Sequence, residues 1–260
     1  MVYQTLKLES SGGIATLTLN RPEKRNAIST GMIEDLLAAF GEIEASPARI
    51  LILTGAGKAF CSGMDLDDLI AVASRSPAEH LEDARRVARL YRQIWSFSKP
   101  TIAVVNGPAI AGGCGLATFC DFTIAVPEAT FGYPEVRIGF IPAVVSIFLT
   151  RQIGEKSARD LLLTGRIIDA GDAHRLGLVT KVVASVDLIG EAHSLAQTLL
   201  ANSPASLQET KKLLRNFAAP DLDRELELAV AAGAQIRSTP DFREGLASFL
   251  DKRPPRWSSD

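Results

Sequence analysis

The stretch "TIAVVNGPAIAGGCGLATFCDFTIAV" (Thr101–Val126) decides how the chain is read. No charged side chain lies between Lys99 and Asp121, so by charge alone the region imitates a membrane span. Pro100, Asn106, Pro108 and four glycines interrupt it, and a buried strand, a turn, a short helix and a second strand fit better. Gly112, Gly113 and Gly115 stand at the mouth of the helix-like run. Glycine inside a helix costs about 1 kcal/mol relative to alanine. Three at one place indicate that the backbone itself is put to use.

Working outward, the same alternation of strand and helix recurs. "GIATLTLN" (Gly13–Asn20) alternates polar and apolar residues in β-branched company, as a strand does. After Ser29 and Thr30, the apolar residues Ile33, Leu36, Leu37, Phe40 and Ile43 fall on one helical face. "ILIL" (Ile50–Leu53) is wholly apolar, as in a strand covered on both sides. Ser76-Pro77-Ala78-Glu79 has the form of a capping-box start. The helix it predicts runs through Leu81, Ala84, Ala88, Tyr91 and Trp95 and stops near Ser98, because Pro100 pushes Lys99 out of helical geometry. From about Val186 onward only helical spacing remains. The expected architecture is an α/β core followed by a helical C-terminal section.

Composition narrows the function classes. The chain has 260 residues, 47% hydrophobic and 22% charged, with a formal net charge of −2. This describes a globular chain without the basic excess that nucleic acid attracts. Three cysteines, Cys61, Cys114 and Cys120, cannot form a closed disulfide set and suit a reducing compartment as buried small apolar residues. The histidines His80, His174 and His193 lack metal-ligand spacing. The N-terminus "MVYQTLKLES" has no apolar leader core, and the expected location is the cytoplasm.

Two glycine-rich turns each follow a buried strand: "TGAGKAFCSGMDL" (Thr54–Leu66) and "NGPAIAGGCGLATFCD" (Asn106–Asp121). The first N–H groups of a helix have no intrahelical acceptor, and glycine lets a ligand approach them closely. Two such amides converging on one oxygen would stabilise an enolate-like oxyanion. "GAGKAF" completes neither the phosphate-loop nor the dinucleotide pattern. For Gly113 by itself, close helix–sheet packing is the better account. The third notable stretch, "ATFGYPEVRIGFIP" (Ala129–Pro142), sets Glu135 among Phe131, Tyr133, Val136 and Ile138. A carboxyl in such surroundings can have a raised pKa suited to proton transfer near neutrality; the rival reading is a surface ion pair with Arg137.

These stretches resemble the crotonase, or enoyl-CoA hydratase/isomerase, superfamily. The similarity runs from "LTLNRPEKRNAIS" (Leu17–Ser29) through "GAGKAFCSGMDL", "NGPAIAGGCGLATFCDFTIA" and "FGYPEVRIGFIP" to "REGLASFLDKRPPRW" (Arg243–Trp257). The resemblance implies a spiral of ββα units over residues 1–200 carrying an acyl-CoA site. Residues 201–260 would supply helices for oligomerisation and site closure, in a homotrimer or dimer of trimers. It places the thioester carbonyl between the backbone N–H groups of Met64 and Gly112. CoA contacts would come from Lys24, Arg25 and Ala27 and from Ser62, Asp65 and Leu66. No metal or redox cofactor is implied, coenzyme A being part of the substrate.

In hydratases of the family two glutamates hold the water. The second is present as Glu135; Gly115 occupies the place of the first. Members similar to the methylglutaconyl-CoA hydratases of leucine breakdown also have glycine there and resemble "IPAVVSIFLTRQIG" (Ile141–Gly154). This implies a hydratase-like enzyme for a branched or unusual acyl group, with room left at residue 115 for substrate or water. Δ3,Δ2-enoyl-CoA isomerisation and decarboxylation of a malonyl-type thioester need only one carboxylate and are the alternatives. A non-catalytic acyl-CoA-binding or RNA-binding relative is the reading of another class. Arg85, Arg89 and Arg92 share one helical face with Arg86 nearby, but interleaved Glu82 and Asp83 suggest a solvated, ion-paired face.

Overall fold

The computed structural model describes residues 2–72 and 75–258. In chain order its elements are β1 (Leu6–Ser11), β2 (Ile14–Leu19), α1 (Thr30–Ala45), β3 (Ile50–Gly55), α2 (Leu66–Val72) and α3 (Pro77–Ser96). Next come β4 (Thr101–Val105), β5 (Ala109–Ile110), α4 (Gly112–Thr118), β6 (Phe122–Ala125), β7 (Thr130–Gly132) and α5 (Ala143–Thr164). The chain then forms β8 (Ile167–Asp169), α6 (Ala170–Arg175), β9 (Lys181–Val182) and the helices α7 (Leu188–Leu200), α8 (Pro204–Ala218), α9 (Leu222–Ile236) and α10 (Pro240–Leu250).

Six strands form the main sheet in the order β1-β2-β3-β4-β6-β9, antiparallel only at the β1–β2 hairpin. Parallel strands need crossovers and are covered on both faces, which explains the unbroken apolar runs at Ile50–Leu53 and Ile102–Val105. Every residue of β4 is buried, between α4 and α7. A second, three-stranded sheet in the order β5-β7-β8 stands beside the first. Its strands are two or three residues long, too short for any periodicity to announce them.

Local signals hold where they were strong. Ser76 Oγ accepts from the Glu79 N–H and the Glu79 carboxylate accepts from the Ser76 N–H, closing the capping box of α3. Helix α3 ends at Ser96, with Phe97 as its C-cap. Helix α5 breaks at Gly154, which sits at φ 75°. Helix α9 packs on α3 and α5, and α10 packs on the 3₁₀ turn Pro134–Ile138. The C-terminal helices thereby close over the segment that carries Glu135.

The three cysteines are free and buried. Burial pushes each thiol up to about 12, consistent with packing residues. No helix among the described residues is long and apolar enough to cross a membrane. On α3, Arg85 pairs with Glu82 at 2.6 Å and Arg92 with Asp223 at 2.8 Å, as a solvated face would.

Candidate active site

The two glycine turns run side by side. Cys61 and Ala109 form a parallel bridge, and the Ile110 N–H donates to Cys61 O at 2.9 Å. Gly63 has φ 94°, and a Cβ there would stand 3.0 Å from Ala111 Cβ and 3.9 Å from Gly112 N. A side chain at 63 would wedge the turns apart. Gly113 meets the backbone of Cys61, where an added Cβ would lie 2.8 Å from the carbonyl carbon. Its absent side chain is a packing requirement.

Met64 stands in the first turn and Gly112 in the second. Around Met64 the neighbouring groups are engaged: Ile28 N–H donates to Gly63 O at 2.7 Å and Asp65 N–H to Ile28 O at 2.9 Å. Gly112 is the first residue of α4, where the amide has no intrahelical acceptor. Before it, Ala111 is held at φ 52° and ψ −125°, a conformation alanine rarely adopts and one that costs on the order of 1–3 kcal/mol. Its N–H donates to Gly132 O at 2.7 Å, so the second sheet holds the strained residue in place.

Glu135 lies in the 3₁₀ turn after β7 and is 8% exposed. Its Oε2 is buried with no hydrogen-bond partner, and burial pushes its carboxyl up from 4.5 to about 7. Arg137 is exposed, and among the described residues no ion pair joins it to Glu135. The reading of Glu135 as a surface ion-pair partner is therefore set aside.

Met64, Gly112 and Glu135 line one cavity of about 960 Å³, together with Lys24, Arg25, Ala27, Ser62, Asp65 and Leu66. Lys24 is exposed and pairs with Asp67 at 2.9 Å; Arg25 is exposed at φ 51°. Ala27 is buried, and the Ser62 N–H donates to Arg25 O at 3.1 Å. Asp65 is buried, its carboxylate 2.7 Å from Arg21 and accepting the Asp67 N–H at 3.0 Å. That carboxylate is spent on holding the turn.

Gly115 is the exception. It does not line the cavity. A Cβ there would meet Val145 Cγ1 at 2.9 Å and Tyr91 Cε1 at 3.1 Å. The expectation of vacant room at residue 115 is corrected: Tyr91 and Val145 already fill it, and both form cavity wall.

Sequence reasoning passed over three residues. Tyr91 looked like one more apolar position on α3; its hydroxyl donates to Gly112 O at 2.8 Å and so ties α3 to the second turn. Burial holds that phenol well above its usual range, keeping it a donor. Asn26 is fully buried, its Oδ1 accepting from Arg21 N–H at 2.9 Å and its Nδ2 donating to Ala56 O at 2.9 Å and Ala59 O at 2.8 Å. Its φ is 55°, and the available signal was its residue type, since asparagine tolerates the left-handed region. Arg237, at the end of α9, had no sequence signal.

Two backbone turns, a strained helix entry and a buried carboxylic acid thus surround one cavity. The family model described as enoyl-CoA hydratase/isomerase matches residues 9–260. The chain is 44% identical over 247 residues to a protein of Thermus thermophilus provisionally named an enoyl-CoA hydratase, covering 95% of this chain and 98% of the relative. It is 34% identical over 262 residues to a crotonyl-CoA hydratase of Syntrophomonas wolfei, covering 100% of each. A crystal structure of an enoyl-CoA hydratase/isomerase from Xanthobacter autotrophicus Py2 superimposes with a TM-score of 0.90 at 32% identity, over 99% of this chain and 100% of that one. The chain belongs to the enoyl-CoA hydratase/isomerase family. It has the crotonase-type α/β fold with a C-terminal helical section, and it is an enzyme of that family.

Proposed function

We propose that the protein adds water across the double bond of a 2-enoyl-CoA thioester, with Glu135 as the acid/base. The observation that carries this reading is Glu135 itself: a buried carboxyl with a free oxygen, raised to about 7, on the wall of the cavity that both turns enter. The thioester carbonyl sits between the Met64 and Gly112 amides, which oppose the negative charge that builds on its oxygen. Protonated Glu135 gives its proton to Cα through one oxygen. Its other oxygen takes a proton from the water attacking Cβ. A C–O and a C–H bond form, the C=C π bond breaks, and Glu135 returns protonated. A carboxyl that titrates near 7 can serve in both directions at neutral pH. This chemistry requires no metal or redox cofactor, and coenzyme A arrives with the substrate.

A second reading is favoured by the absence of a carboxylate at residue 115: one acid suffices to move a proton between Cα and Cγ, or to protonate the enolate left by decarboxylation. Assaying crotonyl-CoA, a 3-enoyl-CoA and methylmalonyl-CoA side by side separates the three. Turnover of crotonyl-CoA to a 3-hydroxyacyl-CoA is expected. Conversion of the other two alone, or salt-sensitive RNA binding with no thioester turnover, overturns the proposal.

A further inference from the structure

A water that adds to a double bond has more to satisfy than Glu135 can supply. It gives one proton to the acid/base and a lone pair to carbon. Its second O–H keeps its hydrogen and, beside a buried carboxyl, needs an acceptor of its own. Asp65, Asp67, Asp68 and Asp83 also line the cavity, but each is already bound: to Arg21 at 2.7 Å, to Lys24 at 2.9 Å, to the Thr30 N–H at 2.6 Å and to Arg75.

Tyr91 offers the acceptor. It is buried on the wall of the same cavity as Glu135. Its hydroxyl proton is directed at Gly112 O, 2.8 Å away, and among the described residues no donor is bonded to the phenol oxygen. A phenol accepts as well as donates, so lone pairs remain for a further partner. A Cβ added at Gly112 would stand 2.5 Å from the hydroxyl oxygen, whereas one added at Gly115 would meet the ring at Cε1, 3.1 Å away. Gly112 lines the cavity and Gly115 does not, so the hydroxyl is the end of the side chain that stands at the wall. Phe119 packs edge-on against the ring, with 5.4 Å between centroids, and fixes its plane. Burial holds the phenol well above its usual range, with Cys61 and Glu135 adding to the shift. The group therefore stays neutral and lies within electrostatic reach of the acid.

We propose that Tyr91 is a catalytic residue: its phenol oxygen accepts a hydrogen bond from the water that attacks Cβ, while its own proton stays on Gly112 O. This rests on the hydratase reading and deepens it by naming the group that shares the water with Glu135. No proton moves to or from Tyr91. The water loses one proton to Glu135, its oxygen bonds to Cβ, and the O–H held by the phenol becomes the hydroxyl of the product.

The test compares two reactions of the full-length protein, wild type and Tyr91→Phe. One is hydration of crotonyl-CoA. The other is exchange of the Cα hydrogen of saturated butyryl-CoA in deuterated water, followed by mass spectrometry. In the exchange Glu135 takes the Cα proton, the two amides hold the enolate, and a deuteron returns to Cα; no water attacks carbon. Tyr91→Phe is expected to lower hydration about tenfold further than exchange. Equal losses would mean that Tyr91 only holds Gly112 in place, and would overturn the proposal, as would unchanged hydration. A second measurement leaves Tyr91 intact. In Glu135→Gln, where turnover is slow, 3-hydroxybutyryl-CoA is expected to bind about fivefold tighter than butyryl-CoA; equal or weaker binding overturns the proposal whether or not Tyr91→Phe folds. If the wild type exchanges butyryl-CoA but hydrates no enoyl-CoA, the hydratase reading fails and the role of Tyr91 falls with it. If the wild type hydrates crotonyl-CoA and the two losses are equal, the role of Tyr91 fails alone.

Discussion

Replacing Glu135 with glutamine should cost activity and return stability, and the second effect depends on pH. Raising the carboxyl from 4.5 to about 7 corresponds to about 3 kcal/mol against its ionised form. Below about pH 4.5 the group is protonated whether the chain is folded or not, and nothing is lost. Between about 4.5 and 7 the unfolded chain ionises first and binds fewer protons than the folded one, so stability falls as pH rises. The loss is about 1 kcal/mol at pH 5 and about 3 kcal/mol at pH 8.5. Glutamine has the same shape and does not titrate, so the stability of Glu135→Gln relative to wild type should grow by about 2 kcal/mol between those two pH values. Any constant offset from the amide's own packing cancels in that comparison. Urea unfolding of both proteins at pH 5 and pH 8.5, at equal protein concentration, measures it. Turnover of a 2-enoyl-CoA, followed by loss of the conjugated thioester absorbance, should drop by about 10²–10⁴ in the variant, with thioester affinity nearly unchanged. A stability difference that does not move with pH would refute the argument from burial. Unchanged turnover would remove Glu135 from the mechanism.

Tyr91→Phe removes a buried hydroxyl that holds Gly112 O at 2.8 Å. It should lower stability by about 1–2 kcal/mol, the usual cost of leaving one such bond unmade, and should reduce kcat more than it raises KM, as the amide at Gly112 loses its positioning. Equal stability and unaltered kcat would show the bond to be idle. Gly115→Ala places a Cβ 2.9 Å from Val145 Cγ1 and should destabilise by about 1–3 kcal/mol through overpacking. A neutral or stabilised variant by thermal melting would mean that space exists at residue 115 after all.

The helix start at Ser76, the buried strand at Thr101–Val105, the glycine-rich entry to α4 and the apolar surroundings of Glu135 could all be read without coordinates. Each is a local effect. A capping box spans four residues, a covered parallel strand needs an unbroken apolar run, and the context of Glu135 comes from its own 3₁₀ turn. The sequence could also say that residue 115 lacks a side chain. It could not say what occupies the space, because Tyr91 and Val145 arrive there from two other helices. The second sheet went unread because strands of two or three residues carry no period and exist through pairing alone.

Sequence by itself therefore determined the alternating α/β order, the helical C-terminal section and the three turns that bring the chemistry. Tertiary structure decided which of those groups meet. It pressed Gly63 against Ala111 so that two turns share one cavity, lifted the pKa of Glu135 by removing water, and set Arg237 against helix α3, more than 150 residues earlier in the chain. The reason is physical. Periodicity and capping depend on neighbours a few positions away. Desolvation and charge balance depend on every group that packing delivers to the site, from whatever part of the chain.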